Sequence, residues 1–236
     1  MPLGRLFILP AWLSEDTLPE AVVPAAVIER IRSLEAFVVE DAKAARAWLA
    51  ACRHPRPLRE LSFAELNEHT PGERVPALLA PALAGTDLGL LSEAGLPAIA
   101  DPGAQLVATA HARGVVVVPL VGPSSILLAL AASGLEGQRF RFLGYLPADA
   151  AERRKRIAEI ERDSAQRVET QIFIETPYRN DAMLSDLLGT CRGATRLAVA
   201  ADLTSPAEWI RMQSVEAWRG KPVTLGKRPA IFLLLA

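Results

Sequence analysis

Cysteines, closely paired glycines and surplus charge are what this sequence lacks. Two cysteines in 236 residues, Cys52 and Cys191, are too few for a disulfide framework and fit no metal-ligand spacing. They point to a reducing compartment, so we expect a cytoplasmic protein with no bound metal. No two glycines are separated by a single residue, which excludes the G-x-G-x-x-G turn and every other G-x-G loop. The absence of G-K-[ST] excludes a P-loop. Lys and Arg number 26 against 27 Asp and Glu, a net charge of −1, so any attraction to nucleic acid must come from a local basic face. The apolar runs at the two ends, Leu6–Leu13 and Ala230–Ala236, have strand length rather than membrane-spanning length. Pro10 interrupts the first, which also lacks the small-residue cleavage site of a signal peptide.

What is there suits an ordinary globular chain: half the residues are apolar and 22% are charged, enough for one large or two small domains. The organising stretch runs from Leu88 to Pro147. Its apolar runs Leu88–Leu91, Val115–Leu120 and Phe140–Leu143 read as strands, and each of the first two ends in a Gly/Pro/Ser turn that opens a helical pattern. That is an α/β layout in which loops at the carboxyl ends of parallel strands hold a small molecule. Gly95 and Gly103 allow close backbone approach or a positive φ, and Pro97, Pro102, Pro119 and Pro123 stiffen the same loops. Asp101-Pro102-Gly103 reads either as the cap of a helix over 104–113 or as part of the ligand loop.

Five pieces in this stretch follow in order: Ser92-Glu93-Ala94-Gly95-Leu96-Pro97, Ala100-Asp101-Pro102-Gly103, Gly122-Pro123-Ser124-Ser125, Ala132-Ser133-Gly134-Leu135 and Gly144-Tyr145-Leu146-Pro147. The series resembles the S-[DE]-A-G-x-P…DPG…PGPS…SGL…G[FY]LP pattern of the tetrapyrrole-methylase superfamily, nearest to its small-subunit rRNA 2′-O-methyltransferase branch. The resemblance implies two α/β lobes, over residues 1–119 and 120–236, with a cofactor cleft between them. It implies S-adenosylmethionine (SAM) as cofactor and methyl transfer as reaction. The resemblance leaves the acceptor open between ribosomal RNA or the small ribosomal subunit and an unknown small molecule; a tetrapyrrole acceptor and a non-catalytic SAM-binding scaffold are the alternatives. A homodimer is also implied. The cofactor contacts carried over are Pro10, Ser92, Glu93, Ala94, Gly95, Pro97, Gly122, Ser124, Ser125, Tyr145, Leu203 and Thr204, and the catalytic candidates are His69, Glu93 and Tyr178, with Glu40 a further possible base.

The rest of the chain completes the pattern. Leu3–Ala11 reads as a first strand and Pro19–Leu34 as a helix interrupted at Pro24. Leu9-Pro10-Ala11-Trp12-Leu13-Ser14 keeps only the proline of the branch's T-P-x-G-N loop, and Trp12 fits either core packing or stacking on an acceptor ring. Strand Ala36–Val39 leads to Glu40-Asp41-Ala42-Lys43, similar to E-D-T-R, which also fits a helix N-terminus favoured by acids. Leu66-Asn67-Glu68-His69 resembles a cleft segment of the relatives, and Gly72–Ala84 reads as helical.

Ala148–Arg167 is the most charged segment, a solvated helix face with an Ile157/Ile160 stripe or a contact for RNA phosphates. Strand Thr170–Glu175 ends in Glu175-Thr176-Pro177-Tyr178-Arg179, similar to E-[ST]-P-[HY]-R. Helix Asn180–Leu188 and strand Arg196–Ala201 follow; Ala201 and Ser205 stand where the branch's R-E-L-T-K carries Arg and Lys. Pro229–Leu235 is the last strand, where the rRNA branch continues into a further segment.

Overall fold

The computed structural model describes residues 2–221 and 223–236 and divides into two units, Met1–Ser124 and Ser125–Ala236. The division falls five residues beyond the 119/120 boundary read from sequence. Leu120 still donates its N–H to Ile8, and Gly122 packs against Pro10, so the segment stays with the first unit.

The first unit carries strands β1 (Arg5–Leu9), β2 (Ala36–Val39), β3 (Ser62–Glu65), β4 (Leu88–Leu91) and β5 (Val116–Pro119), in the order β3-β2-β4-β1-β5 and all parallel. Parallel strands need crossovers, and the crossovers cover both faces, so the central strands are apolar on both sides. Phe7, Leu9, Phe37 and Val39 pack on one face with Ile31 of α2 and with Trp48 and Leu49 of α3; α1 is Pro19–Val22, α2 Ala25–Arg32 and α3 Ala42–Ala51. Leu6, Val38, Leu88 and Leu90 pack on the other face, with Leu79, Ala82 of α4 (Ala80–Leu83) and Leu106 of α5 (Ala104–Ala112). Pro24 separates α1 from α2, as the sequence reading expects. Gly72–Leu79 is a 3-10 helix rather than the start of an α-helix: Pro71, Pro76 and Pro81 recur every five residues and remove the donors an α-helix needs.

The second unit opens with α6 (Ser125–Ser133) and holds β6 (Phe140–Tyr145), β7 (Thr170–Glu175), β8 (Arg196–Ala201), β9 (Trp209–Ser214) and β10 (Ala230–Leu235). The order is β6-β7-β10-β8-β9; β6 and β7 are parallel, and β10 runs antiparallel to both β7 and β8. Helix α6 lies across β8, β9 and β10. Helices α7 (Ala150–Arg167), α8 (Asn180–Thr190) and α9 (Val215–Gly220) enclose a core of Ile157, Ile160, Phe173, Leu187, Trp218 and Phe232. The solvated-face reading of α7 holds for most of its polar residues, over a buried Ile157/Ile160 stripe, with two exceptions, since Arg153 and Glu161 are buried. Arg153 pairs with Asp186 of α8 and donates to the carbonyls of Pro147 and Ala148; Glu161 accepts from the Arg192 N–H and the Thr195 hydroxyl. Among the described residues no helix is long and apolar enough to cross a membrane.

Trp218 is fully buried, donates its ring N–H to the Leu197 carbonyl at 2.9 Å and meets the edge of Trp209. Trp218→Phe keeps most of the packing and leaves that buried carbonyl short of a donor. We expect a loss of about 1–3 kcal/mol of stability, measured as a lower urea midpoint.

Candidate active site

In the first unit, loops leave the carboxyl ends of β1, β4 and β5, three adjacent strands. The chain crosses from β1 towards β2 and from β4 towards β5, so the β1/β4 boundary is the point where the order reverses, the position at which α/β sheets commonly hold ligands. The two loops are tied there: Ala11 donates its N–H to the Gly95 carbonyl at 2.8 Å, and Gly95 donates back to Trp12 at 3.3 Å. Gly95 has φ +69, and a Cβ on it would come within 3.3 Å of Leu13. A Cβ on Gly122 would lie 2.0 Å from the Pro10 side chain, so the β5 loop closes on the β1 loop only as glycine. Ala98 and Ala100 also hold positive φ, +66 and +65, a sparsely populated region for alanine.

Eight expected cofactor residues, Pro10, Ser92, Glu93, Ala94, Gly95, Pro97, Gly122 and Ser124, thus sit on these three loops. The other four lie in the second unit: Ser125 opens α6, Tyr145 ends β6, and Leu203 and Thr204 follow β8. Strands β6 and β8 are three spacings apart, roughly 14 Å. His69 lies beyond edge strand β3, its side chain 85% exposed and 3.6 Å from Glu68. Tyr178 is exposed on the turn after β7.

The acids after β2 divide their tasks. Asp41 caps α3 by accepting the Ala44 N–H at 2.7 Å, which is the structural alternative read from sequence. Glu40 reaches across to β4 and accepts the Glu93 N–H at 3.2 Å. The cap reading of Asp101 fails: Gly103, at φ +136, occupies the N-cap of α5, and no side chain caps that helix. Burial together with the charges of Glu40 and Glu93 pushes the Asp101 carboxyl up to about 6, opposed by a hydrogen bond with Ser92. Burial likewise raises Glu40, opposed by its bond to the Glu93 backbone and reinforced by the charges of Glu93, Asp41 and Glu68. Asp101 is the functional candidate that sequence reasoning undervalued, since only the fold reveals its acidic neighbours. Trp12 packs its ring edge-on to Trp48, 5.0 Å between centroids, which favours the core reading. Among the described residues no group of three or more His, Cys, Asp or Glu could hold a metal ion.

The family model described as Tetrapyrrole (Corrin/Porphyrin) Methylases matches residues 22–217. A curated relative, ribosomal RNA small subunit methyltransferase I of Xylella fastidiosa, is 39% identical over 171 residues, 72% of this chain and 59% of the relative. The chain spans about six-tenths of the length of the first curated relatives it matches, 59% and 61%. Among solved structures, the methyltransferase CobJ superposes with a TM-score of 0.65 at 17% identity, covering 98% of this chain and 94% of that one. A Thermus thermophilus uroporphyrin-III C-methyltransferase complexed with S-adenosyl homocysteine gives 0.58 at 16% identity, with 98% and 97% covered. The two structures support the fold, two α/β lobes with a five-stranded sheet in each.

Because the Asp101 carboxyl is raised from 3.8 to about 6, the fold favours its neutral form and holds the anion at a cost. That cost is absent near pH 4 and complete above pH 6. Asp101→Asn should therefore stabilise the protein at pH 7.5 by about 1–2 kcal/mol, below the ~3 kcal/mol of a fully buried group because solvent screens this one. The gain should vanish by pH 4, as measured by urea unfolding at both pH values.

Proposed function

The chain belongs to the tetrapyrrole (corrin/porphyrin) methylases, and from that premise we infer that it transfers a methyl group from S-adenosylmethionine to ribosomal RNA of the small subunit. The observation that carries this reading is the closure of the loops after β1, β4 and β5 at the strand-order reversal, pinned by the Ala11–Gly95 bridge. The family supports the cofactor, and the relative at 39% identity, a ribosomal RNA methyltransferase by name, favours RNA over a tetrapyrrole. The donor set fits as well. SAM is cationic at its sulfur and its amino group, and Glu40, Glu93 and Asp101 are carboxylates whose mutual repulsion a cation relieves.

When bound, SAM supplies an activated methyl carbon. The residues of this chain orient the partners and manage one proton. Ser92, Glu93, Ala94, Gly95 and Pro97 form the cofactor loop, with Pro10, Gly122 and Ser124 fixing its neighbours; the family resemblance adds Ser125, Tyr145, Leu203 and Thr204 as further cofactor contacts. A ribose hydroxyl must lose its proton as its oxygen takes the methyl group. Asp101 and Glu93 are the acceptors in this reading; the Asp101 carboxyl, near 6, is mostly ionised at neutral pH and still basic enough to take that proton. His69 and Tyr178 contact the RNA. The protein works in the cytoplasm.

The homodimer rests on exposed apolar side chains, Val116 and Val121 in the first unit and Leu127 and Leu128 in the second. Light scattering after size exclusion should return twice the chain mass; the mass of a single chain would overturn this part.

Gly95→Val strains a backbone at φ +69, so Ala94→Trp is the cleaner probe of the cofactor loop, Ala94 being exposed. We expect Ala94→Trp to weaken SAM binding by about tenfold or more in titration calorimetry, with thermal stability unchanged. No heat from the unaltered protein up to roughly millimolar SAM would overturn the cofactor assignment. Small ribosomal subunits left unlabelled by radioactive SAM, with SAM bound, would overturn the acceptor alone.

A further inference from the structure

The turn after β7 displays Tyr178 with 71% of its surface exposed. Exposure of a large aromatic is commonplace; immobilisation of an exposed one is not. Pro177 opens the turn, and the Arg179 guanidinium lies 5.6 Å from the Tyr178 ring centre, covering one face. Arg179 is held in turn by Glu175, whose Oε1 accepts its Nε and Nη2 at 2.9 and 2.6 Å along with the Thr176 N–H and hydroxyl. The Glu175 side chain is wholly buried, so it serves as a foundation rather than a surface charge.

A second turn is clamped to the first. Asn180, fully buried, donates to the carbonyls of Gly226 and Arg228, and Asp181 accepts the N–H groups of Leu225 and Gly226. Arg228 is fixed by Asp202 at 2.5 Å and by the Ala207 carbonyl. Sheet register confirms the shared edge: Glu175 faces Ala230, and Ala230 faces Ala201. Of the three cations on these turns, Lys227 alone has no acid partner among the described residues.

We propose that Tyr178, backed by Arg179, is a stacking platform for an unpaired nucleobase of the acceptor RNA, with Lys227 beside it on a phosphate. A rigid ring with one face capped by a cation and the other open suits a planar π-system, and stacking of this kind tolerates any base. With Arg179 and Arg228 neutralised internally, the surface gains affinity from stacking more than from charge. Helix α7 leaves Lys155, Arg162 and Arg167 exposed outside its ion pairs but carries no aromatic residue, so it offers charge without a stacking face. The assignment rests on the RNA-acceptor reading above and differs from a base role for Tyr178, which would need its hydroxyl.

The test is fluorescence anisotropy of a short fluorescein-labelled oligocytidylate RNA with the full chain and no cofactor, so that a failure of SAM binding does not touch it. Tyr178→Ala should weaken binding by about tenfold or more, and Tyr178→Phe should stay within about twofold. Lys227→Gln should flatten the dependence of log K on log salt by about 0.7. Unfolding midpoints equal to the parent's verify that the variants fold. Equal affinity in parent and Tyr178→Ala, a Phe variant as weak as the Ala variant, or no binding by the parent would each overturn the platform.

Discussion

The two hydrogen bonds between Ala11 and Trp12 on one loop and Gly95 on the other decide the geometry of the first unit's working edge. Strands β1 and β4 run side by side to Leu9 and Leu91, and their onward connections then leave in opposite directions. Without a tie, the loops would diverge at once. The bridge holds them together for several more residues, which requires Gly95 at a φ that side chains resist, and requires Gly122 to yield its Cβ space to Pro10. Ala98 and Ala100, also at positive φ, follow from the same demand: the chain must turn back to start α5 while its front end stays pinned.

That closure has an electrostatic consequence. Pulling the β4 loop towards β1 and β2 brings Glu93 against Glu40 and leaves Asp101 facing both. Two partly buried carboxylates, Glu40 and Asp101, beside the charge of exposed Glu93 cost stability unless protons or a cation intervene. A fold selected for stability alone would disperse them, and the first unit does so elsewhere: Asp41 caps a helix, and Asp87 pairs with Arg5. The retention of the trio is what links the pinned loops to a cationic ligand and to acid–base work under the proposed function.

Much of this was legible in the residues. Apolar runs located β1, β2, β4, β7, β8 and β10, because buried strands leave little choice of side chain, and also the edge strands β5 and β6, whose sequences happen to be apolar. The ordered Gly/Pro/Ser turns carried the family, since backbone demands at Gly95 and Gly122 leave a mark in sequence. What stayed hidden had a weaker signal. Ser62–Glu65 and Trp209–Ser214 are edge strands with half-exposed faces, so neither forms an apolar run. Gly72–Ala84 is helical as read, and its prolines make Gly72–Leu79 a 3-10 helix, a distinction the apolar spacing does not draw. Asp101 read as a cap or a loop residue because Asp-Pro-Gly so often caps a helix; here Gly103, at φ +136 and with Leu90 and Ala98 crowding the place of a Cβ, takes the cap position instead.

Charge was the least legible property, and α7 shows why. A count along Ala150–Arg167 finds a basic helix, yet part of that count is spent internally: Arg153 anchors the Pro147 and Ala148 carbonyls, and Asp186 receives both Arg153 and Arg154. On the β7 edge the relation is reversed. There Glu175 and Asp202 are spent fixing Arg179 and Arg228, so the side chains left facing solvent are an aromatic ring and one lysine. Burying an unpaired ion is far costlier than exposing a paired one, so each buried acid dictates where a neighbouring cation must point. Surface chemistry in this protein is therefore written by its interior acids, and a near-neutral chain can present a surface suited to an RNA base without carrying a basic patch.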